Sequence, residues 1–273
     1  MISPKSTSPN IALFDSGLGG LSVLREVRGV LPRHDLLYLA DTAYCPYGPR
    51  PLDEVRARAL AVGSWLIGQG TGLLVVACNT ASSAALELLR AELPIVVVGM
   101  EPGLKPAAAV TRSGRVAVLA TSNTLSGARF AALAERYADG VEVITQPCPG
   151  LVERVEAGDL SSPATRALVE RYVAPLLARG ADTLVLGCTH YPFLRPLIAE
   201  IAGPDVAIVD TGPAVARQVA RVAAQLDLPS GSGSAYFWTT GDPEAVAPAA
   251  SRLLAADHRN GLPFTFYTSH FPS

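Results

Sequence analysis

A chain of 273 residues, 49% apolar and 17% charged, can hold one large domain or two ordinary ones, and no apolar run approaches the ~20 residues that span a bilayer. A net charge of −2 with scattered Lys and Arg excludes the basic stripe of a nucleic-acid binder and points to a small-molecule ligand. Four cysteines, Cys45, Cys78, Cys148 and Cys188, are too few and too dispersed for a disulfide scaffold, so they are expected as free thiols in the cytoplasm. The opening MISPKSTSPN has no apolar core like that of a signal peptide and is expected to be a disordered leader.

In chain order, short apolar or β-branched runs predict strands near Ile11–Phe14, Leu36–Leu39, Leu73–Ala77, Ile95–Val98, Val116–Ala120, Val141–Thr145, Leu184–Gly187 and Val206–Val209. Several lack polar alternation, as strands covered on both faces do. Between them, LDEVRARALAVGSWLIGQG (52–70) carries helical spacing, early acids and a closing Gly70. SPATRALVERYVAPLLARG (162–180) begins with Ser-Pro and ends with Arg179 and Gly180. Near the end, GSGS (231–234) predicts a loop, while AYFWTT and PFTFY are expected to return strands to the first half.

This alternation predicts an α/β protein with mainly parallel sheets. NIALFDSG at Asn10 resembles RVAVLATS at Arg115, an offset of 105, and Cys78 and Cys188 lie 110 apart. Two similar domains related by pseudo-twofold symmetry follow, residues 1–98 plus 210–273 and residues 99–209, with the site in the cleft between them.

Four loops at strand ends can carry chemistry. FDSGLGG (14–20) permits a tight turn and close backbone approach, but it lacks both a P-loop lysine and the dinucleotide glycine pattern. Asp15 stands in it as an acid at a strand's carboxyl end. CPYGP (45–49) is either a rigid turn with Tyr47 packed over it or a device aiming the amides near Tyr47 and Gly48 at a ligand. LVVACNTAS (74–82) and LVLGCTHYP (184–192) each place a cysteine at the tip of an apolar run. Taken singly, either cysteine reads as a buried, inert thiol.

The pair favours reactivity. Each thiol has small polar neighbours, Asn79 and Thr80 or Thr189 and His190, and each is expected to precede a helix whose first amides lower its pKa. Cys45 and Cys148 lack that setting and read as structural or incidental. His34, His258 and His270 lie in ordinary loop or tail contexts, leaving His190 as the histidine beside a candidate thiol. Cys188 and His190 could ligate zinc, but no CxxC or HxxxH pair supports them, so no metal is expected. A hydrolase with Cys188 as nucleophile would leave Cys78 unexplained.

Two opposed thiols suit a racemase, in which one group removes a proton from carbon and the other returns one to the opposite face. No loop supplies a Schiff-base lysine, and no flavin or nicotinamide motif stands out, so a cofactor-independent reaction is expected. Loop amides and hydroxyls would then stabilise the carbanion.

DSGLGG, PYG, ACNTAS, MEP and GCTHYP, in this order across nearly the whole chain, resemble the glutamate racemases of the aspartate/glutamate racemase family. The resemblance implies a two-domain α/β fold, interconversion of L- and D-glutamate, supply of D-glutamate to peptidoglycan, and a homodimer. It implies Cys78 and Cys188 as the acid/base pair, bases for D- and L-glutamate respectively. It further implies Asp15 beside Cys78, His190 beside Cys188, and an assisting carboxylate at Glu156, with Glu153 one turn away. Substrate contacts carry over to Asp15, Ser16, Tyr47, Gly48, Asn79, Thr80, Thr121, Thr189 and His190. An aspartate-specific relative, one methylene away in substrate, and a non-enzymatic two-lobed binder of acidic metabolites are the competing readings.

Overall fold

The computed structural model describes residues 10–137, 140–255 and 264–268; the leader expected at the amino terminus, His258 and His270 lie outside the described residues. The first stretch of chain runs β1 (Asn10–Asp15), α1 (Leu21–Val30), β2 (Leu36–Ala40), α2 (Leu52–Gly68), β3 (Thr71–Val76), α3 (Asn79–Glu92) and β4 (Val96–Gly99). The second runs α4 (Leu104–Val110), β5 (Arg115–Ala120), α5 (Ser122–Ser126), α6 (Ala128–Tyr137), β6 (Glu142–Pro147), α7 (Leu151–Glu156), α8 (Pro163–Ala178), β7 (Thr183–Leu186), α9 (Arg195–Ala202) and β8 (Ala207–Val209). The chain closes with α10 (Gly212–Gln225), β9 (Ala235–Thr239), α11 (Pro243–Ala255) and β10 (Phe264–Thr268).

All eight strands expected in residues 11–209 form, with ends displaced by a few residues, and the two aromatic runs near the carboxyl end form β9 and β10. The helix punctuation behaves as its chemistry requires. Ser162 caps α8 by accepting the Thr165 amide at 3.2 Å, Pro163 opens the helix where its missing N–H costs nothing, and Gly180 follows its end at φ +82°.

Two wholly parallel sheets result. Their orders are β10-β9-β2-β1-β3-β4 and β6-β5-β7-β8. The run β2-β1-β3-β4 thus has the same order as β6-β5-β7-β8, which is the structural form of the offsets near 105–110. In both, the connection after the first strand travels one way across the sheet and the connection after the third travels the other. The resulting switch points lie between β1 and β3 and between β5 and β7. Ligands in open parallel sheets bind outside the strands' carboxyl ends at such points.

Strand alternation divides the core. Ala12, Phe14, Leu37, Leu39, Leu74 and Val76 face α2 and α3 through Val55, Val62, Leu66, Ala85 and Leu89. Ile11, Leu13, Tyr38 and Val75 face the opposite way and belong to one apolar cluster that continues into Leu119, Leu184 and Leu186 of the second sheet. The two α/β domains are therefore packed across a shared core. That packing holds the carboxyl ends of β1, β3, β5 and β7 against one another. Among the described residues no helix is long and apolar enough to cross a membrane.

Candidate active site

Each switch point delivers a pair of residues. β1 ends on Asp15 and β3 runs into Cys78; β5 runs into Thr121 and β7 into Cys188. The loops meet around a small, tightly walled cavity. Every site residue expected from sequence borders it except Asp15 and Glu156, which stand behind the lining and hold it in place. Pro46 and Val152 border it as well. Val152 had a signal in the sequence: it lies four residues before Glu156, on the same face of α7.

Asp15 is fully buried. Its Oδ2 accepts the Gly20 amide at 2.6 Å and the Thr189 hydroxyl at 3.2 Å, while Oδ1 accepts the Ser16 amide at 2.7 Å. The carboxylate therefore ties the first glycine loop to the second thiol loop. Burial raises its pKa, against the pull of His190 and a hydrogen bond from Cys78.

Cys78 caps α3, its Sγ accepting the Ala81 amide at 3.5 Å, and it lies 3.9 Å from the Ser16 hydroxyl. The expected lowering of its pKa by the helix amides is overturned. Burial first, and the Asp15 charge second, push the thiol well above its ordinary value. Cys78 rests protonated. Cys188 departs from expectation in another way, because a short 3₁₀ turn, Tyr191–Leu194, follows its loop and α9 begins only at Arg195.

What Cys188 has is His190. Its Sγ lies 3.6 Å from His190 Nδ1, and His190 Nε2 lies 2.6 Å from Glu156 Oε1. Glu156 Oε1 also accepts the Leu18 amide at 2.6 Å. Burial alone would lower the imidazole pKa, but hydrogen bonds with Cys188, Cys45 and Glu156 outweigh it and raise the net value well above the ordinary one. His190 is therefore an imidazolium at neutral pH, a positive partner for a thiolate on Cys188. Glu153 is exposed on α7, so it is Glu156 that reaches the histidine.

The turn at 45–49 combines both readings offered for it. The Tyr47 side chain is buried, and its hydroxyl donates to Asp41 Oδ2 at 2.5 Å. Arg58 donates twice to the same carboxylate, at 2.8 Å each. Anchored this way, the turn presents Gly48 to the cavity, where a Cβ would stand 3.1 Å from Thr121 Cβ. Across the cleft, Thr80 and Thr121 pair their hydroxyls at 2.9 Å and Asn123 Nδ2 donates to Tyr47 O at 3.2 Å. Asn79 is buried with neither its amide nitrogen nor its carbonyl oxygen partnered. Such a group at a cavity wall is held ready for a polar ligand.

Cys45, set aside as incidental from sequence, is the residue whose surroundings the sequence concealed. Its thiol is raised to about 12, mainly by burial, and it lies against His190 and Glu156. Cys148 is buried, its Sγ 3.3 Å from Gln146 O.

The model describing Asp/Glu/hydantoin racemases matches residues 21–219, beginning just after Asp15 and Ser16. A glutamate racemase of Pseudomonas aeruginosa is 56% identical over 242 residues, covering 88% of this chain and 91% of the relative. A glutamate racemase of Methylococcus capsulatus is 54% identical over 252 residues, covering 91% and 93%. Among solved structures, Escherichia coli glutamate racemase, in complex with L-glutamate and the activator UDP-MurNAc-Ala, superposes with a TM-score of 0.82 at 31% identity, covering 96% of this chain and 98% of that one.

Proposed function

The chain belongs to the Asp/Glu/hydantoin racemase family, and from that premise we propose that it interconverts L- and D-glutamate by two-cysteine proton transfer without a cofactor. The observation that carries this reading is the convergence of Cys78 and Cys188, each at the switch point of a different sheet, on the walls of one cavity.

Toward D-glutamate, the Cys188 thiolate takes the α-proton: the C–H bond breaks, an S–H bond forms, and the electron pair stays on carbon. The Cys78 thiol then gives its proton to the opposite face, leaving a thiolate. The reverse reaction exchanges the roles. The protonated Cys78 and the imidazolium of His190 support Cys188 as the base toward L-glutamate and Cys78 as the acid facing it. The charge on His190, 3.6 Å from Cys188 Sγ, is the counter-charge that a thiolate base needs.

Asp15 is the carboxylate against Cys78, and Glu156 orients His190 and keeps it charged. The unpartnered Asn79 amide, the hydroxyls of Ser16, Thr80, Thr121 and Thr189, and the backbone near Tyr47 and Gly48 contact the substrate and its carbanion. We assign residues 1–98 plus 210–273 to one domain and 99–209 to the other. The chain's resemblance to glutamate racemases further implies a cytoplasmic homodimer that supplies D-glutamate to peptidoglycan.

Incubation with L-glutamate in deuterated water decides the matter: loss of the α-proton signal with appearance of D-glutamate is expected, and neither occurring refutes it. The same assay with aspartate is expected to run far more slowly.

A further inference from the structure

Three chemically different ligand atoms converge beside the cavity. Cys45 Sγ, a Glu156 carboxylate oxygen and a His190 ring nitrogen all lie within 4.8 Å of one another, and no other such group of three occurs among the described residues. They arrive from separate segments: the turn after β2, the last residue of α7, and the loop after β7. Gly17 keeps the spot open, since a Cβ there would lie 2.2 Å from Glu156 Oε1 and 2.9 Å from Cys45 Sγ. The Cys45 thiol neither gives nor takes a proton in the transfers described above, and shares only a hydrogen bond with His190 that a serine hydroxyl can also make.

The donor set selects the ion. Sulfur and imidazole beside one carboxylate suit a borderline-soft cation, whereas magnesium and calcium ask for oxygen alone. In a tetrahedral zinc site with bonds of ~2.0–2.3 Å, neighbouring ligand atoms stand about 3.5 Å apart. Contacts already inside 4.8 Å reach that spacing by small side-chain adjustments.

We propose that Cys45, Glu156 and His190 form an inhibitory site for a thiophilic divalent cation, with zinc as the fitting ion. On binding, the Cys45 S–H bond breaks and a zinc–sulfur bond forms, and the imidazolium gives up its Nε2 proton for a zinc–nitrogen bond. Both protons pass to solvent and the metal stays divalent, so no redox partner is needed. One coordination position remains for water. The ion takes the place of the His190 Nε2 proton, widens the 2.6 Å His190–Glu156 contact that orients the imidazole for Cys188, and ties the first sheet's turn to α7 and a loop of the second. Inhibition rests on the racemase reading, whereas binding rests on the ligand set alone.

The test uses full-length protein freed of metal by chelation. Calorimetry is expected to show one zinc per chain, with affinity at least about tenfold weaker in Cys45→Ser and in Glu156→Gln. Cobalt(II) is expected to give thiolate-to-metal charge-transfer absorption that survives Cys188→Ser and disappears in Cys45→Ser. Zinc is expected to inhibit racemisation reversibly in the wild type, while Cys45→Ser stays active and resists it. No zinc binding, a wild-type cobalt adduct without the thiolate band, a band lost in Cys188→Ser instead, or equal zinc inhibition of Cys45→Ser would overturn the proposal. The wild-type cobalt spectrum serves even if a variant fails to fold, and binding without any racemase activity counts against the functional reading and not against the site.

Discussion

His190 and Glu156 are 34 residues apart in the chain and 2.6 Å apart in the fold, nitrogen to oxygen. Because the same imidazole turns its other nitrogen to Cys188 at 3.6 Å, the carboxylate governs the charge presented to that thiol.

That relay gives a pH prediction. The folded-state pKa of His190 is raised, so its stabilising contribution is complete below the ordinary value of 6.5 and is lost as pH rises through the raised value, while its charge stays available to Cys188 up to that raised value. Glu156→Gln removes an anionic partner, and the alkaline limb of kcat/KM against pH is expected to move to lower pH. An unmoved limb would show that Glu156 does not set the charge of His190.

The three thiols near the cleft are expected to separate cleanly. Cys78→Ser and Cys188→Ser should each lower racemisation by at least about 100-fold, since each removes a positioned proton-transfer group. Cys45→Ser should retain activity in metal-free buffer. Comparable rates in all three variants would refute the two-base assignment.

Gly19 gives a steric test. An added Cβ would stand 2.2 Å from Nδ1 of a histidine that is buried and held on both sides. Gly19→Ala is expected to displace the ring and reduce kcat by about 10- to 100-fold, because misplacement by an ångström costs that much. Wild-type turnover with unchanged stability would mean that the ring's position does not matter.

Asp41 tests the anchor of the PYG turn. It accepts from Arg58 twice and from the Tyr47 hydroxyl while fully buried, and Arg58 is nearly so. Asp41→Ala strands those donors and is expected to cost about 3–5 kcal/mol in urea unfolding, as breaking a buried pair does. A loss below about 1 kcal/mol would count against the anchor, that being the worth of an exposed pair.

Asp159 supplies an acid-range prediction remote from the site. Hydrogen bonds led by the Ser162 hydroxyl at 2.8 Å lower its pKa from 3.8 to about 2, so its contribution is present above 3.8 and lost as pH falls through 2. The stability gap between wild type and Asp159→Asn should close over that window, and a gap that persists unchanged at pH 2 would exclude the mechanism.

The sequence by itself determined the strands, the parallel architecture and the two thiol loops, because these depend on local properties: unbroken apolar runs, capping residues and repeated motifs. Gly180 at positive φ and the Ser162 cap were legible for the same reason. Tertiary structure alone decided which charges meet. It chose Glu156 over Glu153, since only one of two acids on α7 turns toward His190. It reversed the expected direction of the Cys78 pKa, since burial beside Asp15 outweighs the amides of α3. It also brought Cys45, unremarkable in sequence, within reach of His190 and Glu156. Protonation depends on desolvation and on neighbours distant in the chain, and both are properties of the packed cleft.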